Sequence, residues 1–242
     1  PIAPQEMIFS FCRLLFCLLD PEQENGVGSD LPKVIEGCFI FAAIWSIGVS
    51  SDDNGRVLLN DYFRLLLTAE CYTTPEYEDF AIKNPQYQAD DTRKASNIPP
   101  DSSSLYDFCF DPKSMKWAHW LDGQSKFVIG KEAKYNDIMV PTIDTVRNES
   151  IIERLLLHGY HVLCSGDTGT GKSVSMKNKL LKGMPDNFNS IFLNFSAQTS
   201  ANQTQDLIDA KLDKRRKGVL GPPLGMTTIV FVDDLNMPAK EE

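Results

Sequence analysis

The chain has 242 residues, of which 42% are hydrophobic, and a formal net charge of −9. This length allows one large domain or two modest ones, each with a buried core. Up to Val140 the sequence contains 12 basic and 21 acidic residues, whereas from Pro141 on it contains 12 of each. The excess negative charge therefore lies in the first part, and such an acidic surface argues against direct nucleic-acid binding.

Neither the cysteines nor the apolar runs indicate a secreted or membrane protein. The six cysteines are scattered without a CxxC pair, which predicts reduced thiols in a cytosolic-type compartment. Two apolar runs, at 7–19 and 38–49, are shorter than the roughly twenty residues that span a bilayer. We interpret both as buried helices and expect no membrane partner.

The first seventy or so residues predict a small helical subdomain. Apolar periodicity indicates helices over 5–19, 32–47 and 56–71, and Pro32 is suited to a first helical turn. Residues 73–101 are rich in Pro, Asn, Gln and acidic side chains without a sustained period, which predicts a long surface connection.

Two short strands are predicted next, at 104–111 and 125–130. Trp117 and Trp120 lie between them. A ligand-stacking pair is one interpretation of these rings, but ordinary packing of a hairpin is favoured.

From about Thr142 on, helices and strands alternate. This alternation predicts an α/β fold with a parallel sheet and helices on both faces. The expected order is a helix from Thr142 to before Gly159, strand 161–165, loop 166–171, helix 172–182, strand 190–196, helix 200–216 and strand 227–234.

The sequence GDTGTGKS at 166–173 fits the pattern G-x-x-x-x-G-K-[ST]. An apolar predicted strand precedes it and a predicted helix follows, as a phosphate-binding loop requires. Backbone N–H groups of such a loop form an anion-binding nest, and the helix adds its positive dipole end. Lys172 is expected to reach the β- and γ-phosphates and Ser173 to bind Mg²⁺; a glycine-rich turn without a ligand is the alternative.

The sequence TIVFVDD at 228–234 predicts the strand that completes this site. Its apolar residues indicate a buried central strand, whose carboxyl end is where ligands bind in open α/β sheets. Asp233 is expected to hold Mg²⁺, directly or through water. Asp234 is the candidate to orient or deprotonate the attacking water; capping a following helix is its alternative, compatible role.

Two other features have simpler interpretations. The basic run KLDKRRKG at 211–218 matches a nuclear-localisation or polyphosphate-binding segment, but the solvated end of a helix is favoured, since positive charge suits a helix carboxyl terminus. His158 and His161 lie far from other potential ligands in the sequence, and a metal site there is not favoured.

With these residues in hand, the sequence resembles the AAA+ ATPase modules of dynein heavy chains, and most closely the third of the six modules in an axonemal heavy chain. The segments that carry the resemblance are VPTIDTVR, GDTGTGKSV, LNFSAQTSANQTQ and IVFVDDLNMP, in order across 138–242. FAAIWSIGV and LYDFCFD resemble the helical lid of the second module and the lead-in to the third. The resemblance therefore covers the whole chain.

The resemblance implies an ATP-binding segment of a ciliary or flagellar motor that moves toward the microtubule minus end. Implied cofactors are ATP or ADP and Mg²⁺. Implied partners are the neighbouring AAA+ modules and, through the full-length protein, dynein intermediate and light chains and microtubules. The implied location is the cytoplasm or cytoskeleton, in the axoneme of a cilium or flagellum.

The resemblance also implies roles for individual residues and a division of the chain. Residues 1–72 would be the lid of the preceding module, 73–137 a connection, and 138–242 the first part of the nucleotide-binding domain. The adenine would lie against four residues around the start of the helix predicted from Thr142. Nine residues of the loop and of the first turn of the next helix would surround the phosphates. In order, these residues are Val140, Pro141, Thr142 and Ile143, then Gly166, Asp167, Thr168, Gly169, Thr170, Gly171, Lys172, Ser173 and Val174.

Two departures from the family pattern bear on activity. Brisk AAA+ ATPases have Glu after the strand's Asp, whereas this chain has Asp234; withdrawing the carboxylate by roughly 1 Å predicts a loss of about a hundredfold in rate. The sequence also stops soon after this strand, so we expect the sensor residue and the arginine finger to lie outside it. Slow or absent turnover follows, and a structural or regulatory nucleotide-holding module, or another P-loop NTPase such as a kinase or GTPase, stays open.

Overall fold

A computed structural model describes residues 4–19, 30–85, 94–122 and 140–239. They divide into two compact units, residues 1–162 and 163–242. The helices are α1 (Pro4–Leu18), α2 (Leu31–Ser46), α3 (Asp53–Leu67), α4 (Pro75–Lys83), α5 (Ile143–Leu157), α6 (Lys172–Lys182) and α7 (Ala201–Asp209). The strands are β1 (Phe108–Asp111), β2 (Lys116–His119), β3 (Phe188–Asn194), β4 (Asp213–Arg216), β5 (Val219–Gly221) and β6 (Thr227–Asp233).

The first unit is a helical layer that packs on the β1–β2 hairpin. Helix α2 is the central element, because α1, β1 and the 3-10 turn before β1 all contact it. Together with the 3-10 turn that follows it, α2 forms a 20-residue helical stretch, Leu31–Ser50, that matches a membrane span by length and composition. However, 61% of its 18-residue apolar window is buried inside the protein, as in a core helix. The buried core comprises Leu14, Leu18, Val34, Cys38, Ile40, Phe41, Ala42, Ile44, Trp45, Leu67, Leu105, Tyr106, Phe110 and Trp120.

Both tryptophans of the hairpin region pack within the protein. The Trp120 ring contacts Trp45 at 5.6 Å between centroids, and its Nε1 donates to the Tyr106 carbonyl at 3.1 Å. The Trp117 ring lies 5.1 Å from the Phe110 ring between centroids, tilted by 47°, and its Nε1 donates to the Asn97 carbonyl at 3.1 Å. The packing interpretation is therefore confirmed over the ligand-stacking one.

The connection predicted at 73–101 is wrong in part, because helix α4 lies within it. Thr74 caps this helix by accepting a hydrogen bond from the Tyr77 N–H at 3.2 Å, and Pro75 occupies its first turn. A Thr-Pro start is a helix signal, but the surrounding polar residues gave no apolar period by which to find it. The hairpin partner of β1 is β2, inside the segment predicted to separate two strands; the predicted strand 125–130 lies outside the described residues.

The second unit is the small parallel sheet of the predicted α/β fold. Strands β3 and β6 are parallel, with Asn194 opposite Asp233 at their carboxyl ends. Helix α6 packs against β3, and Met176 and Leu180 of the helix and Ile191 and Leu193 of the strand are buried.

Residues 161–165 were predicted as a strand and have no regular structure. A strand is defined by its ladder of hydrogen bonds to a neighbour, and the described residues place β3 and β6 against each other rather than against 161–165. The apolar character of this segment was therefore not sufficient for the prediction.

The helix predicted over 200–216 ends at Asp209 instead. The basic run forms strand β4, which pairs with β5 in an antiparallel hairpin. Gly218 lies in the intervening turn at φ 74°, a conformation that glycine adopts without strain. Residues 213–217, which read DKRRK, have no apolar side chain that could extend the buried face of a helix. The basic residues therefore belong to an exposed hairpin and not to a helix end.

Gly37 is a close-approach position in the core. A Cβ atom there would lie 2.3 to 2.6 Å from three ring atoms of the buried Phe110. We expect Gly37→Ala to lower the free energy of unfolding by about 1–3 kcal/mol, because overpacking forces ring and helix apart. Urea unfolding followed by tryptophan fluorescence measures this loss.

The control for this prediction is the same change in a Phe110→Leu background, where the smaller side chain leaves room for a methyl group. The penalty of Gly37→Ala should then shrink. An equal loss in both backgrounds would mean that the ring contact is not its cause.

Candidate functional site

The loop 166–171 adopts a glycine-dependent backbone. Gly169 and Gly171 have φ values of 80° and 79°, and a Cβ at either would meet nothing within 4 Å. These glycines are thus required by backbone conformation rather than by lack of space. Gly171 directly precedes α6, so the left-handed turn aims the helix amino terminus toward the loop.

The Lys172 ammonium folds back onto this loop. Its Nζ donates to the Gly166 carbonyl at 2.8 Å, to Thr170 Oγ1 at 3.0 Å and to the Asp167 carbonyl. Thr170 Oγ1 in turn donates to the Asp167 carbonyl at 2.9 Å. The loop is therefore closed around a positive charge and a helix amino terminus, both of which favour an anion.

Ser173 and Asp233 meet, although sixty positions separate them along the chain. Ser173 Oγ, in the first turn of α6, donates to Asp233 Oδ1 at 2.6 Å. This contact joins the helix that follows the loop to the carboxyl end of β6. It is the pairing of hydroxyl and carboxylate that the sequence predicted for a metal site.

A lysine side chain also contacts Asp233. Lys177, one turn further along α6, donates from Nζ to Asp233 Oδ2 at 3.0 Å and to Asn194 Oδ1 at 3.2 Å. Sequence reasoning missed both Lys177 and Asn194. The available signal was positional, since Asn194 ends β3 as Asp233 ends β6.

These contacts act on the ionisation of Asp233. The Ser173 hydrogen bond, followed by the Lys177 hydrogen bond, lowers the pKa of this carboxyl below its ordinary value of 3.8, and partial burial opposes the shift. A carboxylate that accepts such bonds favours its charged form. Asp233 is therefore ionised at neutral pH and able to bind a cation.

The oxygen atoms of this pair fit a magnesium ion. Mg²⁺ prefers hard oxygen ligands and is commonly held by one or two protein side chains together with water and substrate phosphates. Ser173 Oγ and the Asp233 carboxylate provide such ligands beside the phosphate-type loop. Over the described ranges, this site included, no group of three or more His, Cys, Asp or Glu side chains is placed to hold a metal, so the remaining ligands here would be water and phosphate oxygens.

Asp234 follows this carboxylate in an unusual conformation. Its φ is 56°, a left-handed value that Asp tolerates better than most residues, and its side chain is exposed. The Asp234 carbonyl accepts from the Met237 N–H at 2.9 Å. Up to Ala239 a turn follows rather than a helix, so its helix-capping role finds no support in the described part of the chain.

The residues proposed for the adenine side belong to the first compact unit, whereas the loop belongs to the second. Thr142 caps α5 by accepting from the Thr145 N–H at 3.2 Å. Ile143 is partly buried against the core of its own unit, and Val140 is 59% exposed. Their contribution to the site stays a prediction.

Two family models match this chain. Residues 1–122 match the dynein heavy chain AAA lid domain, and residues 127–242 match the P-loop containing dynein motor region. Both descriptions agree with the order of a helical segment followed by a loop-bearing α/β segment.

Individual relatives of the chain are also dynein heavy chains. The chain is 44% identical over 213 residues to dynein axonemal heavy chain 1 of Mus musculus, a match that covers 88% of this chain and 5% of that protein. It is 42% identical over 243 residues to the Homo sapiens protein of the same name, covering 97% of this chain and 6% of the relative. Dynein axonemal heavy chain 12 of Homo sapiens is 39% identical over 211 residues, covering 86% and 6%; the chain thus spans a small fraction of these relatives' length.

The Ser173 contact can be tested through the ionisation of Asp233. We expect Ser173→Ala to raise the pKa of Asp233 toward 3.8, because the largest interaction that lowers it is lost. Carboxyl-carbon NMR of the 242-residue chain measures this titration, with Ser175→Ala on the same helix as the control.

The same shift has a consequence for stability with a defined sign. Because the folded-state pKa lies below 3.8, the ionised carboxylate stabilises the fold above that pH, and the contribution is lost as pH falls below it. Ser173→Ala should therefore flatten the acid-side loss of stability. An unchanged pKa and unchanged acid unfolding would contradict the role assigned to this contact.

Proposed function

Because the chain belongs to the dynein heavy chain family, we propose that its second compact unit binds ATP or ADP with Mg²⁺ as part of the ATPase ring of a ciliary or flagellar motor. The observation that carries this proposal is the contact of Ser173 Oγ with Asp233 Oδ1 at 2.6 Å. It brings the hydroxyl that ends the loop motif and the carboxylate that ends β6 to one point.

Each residue of the loop has a task in this proposal. The backbone of 166–171 surrounds the phosphate chain, and Lys172 exchanges its contacts with loop carbonyls for the β- and γ-phosphates. Ser173 and Asp233 hold Mg²⁺, which when bound neutralises phosphate charge. The left-handed Gly171 directs the amino terminus of α6 at the same phosphates.

We assign hydrolysis, where it occurs, to a water positioned by Asp234. Its exposed carboxylate follows β6 directly, on the side where ligands of parallel sheets bind. The side chain is one methylene shorter than the Glu of brisk AAA+ ATPases, so the in-line water is held less well and turnover is slow. A nucleotide held without turnover, as a regulatory latch, is the second candidate, favoured by the exposed left-handed turn in which Asp234 lies.

We further propose a place for this segment in the motor. Residues 1–72 act as the lid of the second AAA+ module, 73–137 as a connection, and 138–242 as the start of the third, with Val140, Pro141, Thr142 and Ile143 on the adenine side. The match to the lid domain ends at residue 122 and the match to the P-loop motor region begins at residue 127. A module boundary within the connection 73–137 is consistent with both. Other modules of the same heavy chain are then its direct partners, and dynein light and intermediate chains and microtubules are partners of the whole motor.

Nucleotide binding is tested most directly at Lys172. We expect Lys172→Ala to weaken binding of a fluorescent ADP analogue by about tenfold to a hundredfold, because a charge-assisted hydrogen bond contributes roughly 1.5–3 kcal/mol. Fluorescence titration of the 242-residue chain measures the dissociation constant, and Lys182→Ala, at the far end of the same helix, is the matched control. Equal affinity in all three proteins would refute the site.

Turnover is tested at Asp234 in the full-length heavy chain. If the shortened carboxylate limits hydrolysis, Asp234→Glu should raise phosphate release at this site by up to about a hundredfold, since it returns the carboxylate by roughly 1 Å. The rate is measured in a background where the other ring sites are inactivated. A rate that does not change supports the latch instead.

A further inference from the structure

Lys177 lies outside the loop motif. Its hydrogen bonds go to Asp233 and Asn194, whereas those of Lys172 go to the loop. The Lys177 ammonium touches three groups at the carboxyl end of the sheet. It donates to Asp233 Oδ2 at 3.0 Å and to Asn194 Oδ1 at 3.2 Å, and it lies 5.9 Å from the centroid of the Phe231 ring. The side chain is 34% exposed and that of Asp233 is 18% exposed, so the ion pair is partly shielded from water.

The two oxygens of Asp233 have different partners. Oδ1 accepts from Ser173 and faces the first turn of α6, whereas Oδ2 accepts from Lys177. The Ser173 edge is the one proposed to hold Mg²⁺. The Lys177 edge is therefore free to keep its ion pair when a metal is bound on the other side.

The charges of these side chains determine how strongly the site attracts a divalent cation. Asp233 contributes one negative charge and Lys177 one positive charge at 3.0 Å, so the pair is neutral. Lys172 adds a further positive charge on the adjoining loop. A divalent cation that approaches the Asp233 carboxylate alone finds its negative charge already offset by the Lys177 ammonium at 3.0 Å, and in a partly shielded site the repulsion by that ammonium is substantial.

Resting on the proposed function, we propose that Lys177 is a positioning residue that supplies a resident counter-charge to Asp233, so that Mg²⁺ is held only together with nucleotide phosphates. The phosphates provide the negative charge that the pair lacks. The ammonium also fixes the carboxylate so that Oδ1 points at Ser173, and through Asn194 it ties the end of β3 to the same point. Metal entry is thereby coupled to nucleotide entry.

The competing explanation is that Lys177 only fastens α6 to the strand ends. The two explanations predict opposite signs for one measurement. Loss of a fastener disorders the Asp233 carboxylate and weakens metal binding, whereas loss of a counter-charge strengthens the binding of metal without nucleotide.

The test is Mn²⁺ binding to the 242-residue chain without nucleotide, measured by electron paramagnetic resonance at low salt. We expect Lys177→Met to bind Mn²⁺ roughly tenfold more tightly than the unchanged chain, because a nearby positive charge is removed. Lys177→Arg, which keeps the charge, and Lys182→Met, which removes a charge at the far end of α6, should both behave as the unchanged chain. Thermal unfolding by circular dichroism accompanies each variant.

A second neutral variant guards against misfolding. Lys177→Gln keeps a hydrogen-bond donor for Asp233 and should also bind Mn²⁺ more tightly. Unchanged or weaker Mn²⁺ binding in a folded neutral variant overturns the counter-charge role. A fluorescent ATP analogue, titrated with Mg²⁺ and with EDTA, tests the proposed function separately: failure of the unchanged chain to bind it refutes nucleotide binding, whereas the Mn²⁺ result alone decides the role of Lys177.

Discussion

The Asp233 carboxylate is the point on which the second unit depends. It ends β6, accepts from Ser173 and Lys177 of α6, and lies opposite Asn194 of β3. Two elements distant in sequence are thereby joined by charged hydrogen bonds, which contribute more than neutral ones. The glycine loop and the amino terminus of α6 can both face an anion only while the helix keeps this position against the sheet.

Apolar packing supplies the other half of the same arrangement. The buried residues of this unit belong to α6 and β3, whereas β6 is only partly covered, with Val230 43% exposed. The position of β6 is set by its parallel ladder to β3. Because the ladder fixes register, it places Asp233 beside Asn194, and a slip of one residue would turn the carboxylate to the other face of the sheet.

The sequence predicted the elements that have strong local signals and missed those set by neighbours. Helix α6 occurs at 172–182 as predicted, because glycines bound it on both sides. The capping box of Ser200 and Gln203 likewise starts α7, but nothing local marks its end at Asp209, where pairing of two later segments takes over. Residues 161–165 failed for the same reason, since a strand requires a partner that apolar composition does not specify.

At the site, the sequence motifs identified the hydroxyl and the carboxylate, but they did not reveal which other charged side chains lie beside them. Ser173 and Asp233 were expected to meet, and they do. Lys177 belongs to no motif, and only the pitch of α6 and the register of two strands bring its ammonium to Asp233. In this ion pair the charge of the Asp233 carboxylate is offset by Lys177, and in the role proposed for Lys177 the nucleotide phosphates supply the negative charge that Mg²⁺ requires. The site as proposed would be better suited to sensing bound nucleotide than to retaining metal between cycles. The counter-charge proposed for Lys177 agrees with the shortened carboxylate of Asp234, because the slow turnover proposed for this site would prolong the state in which nucleotide and metal are held together.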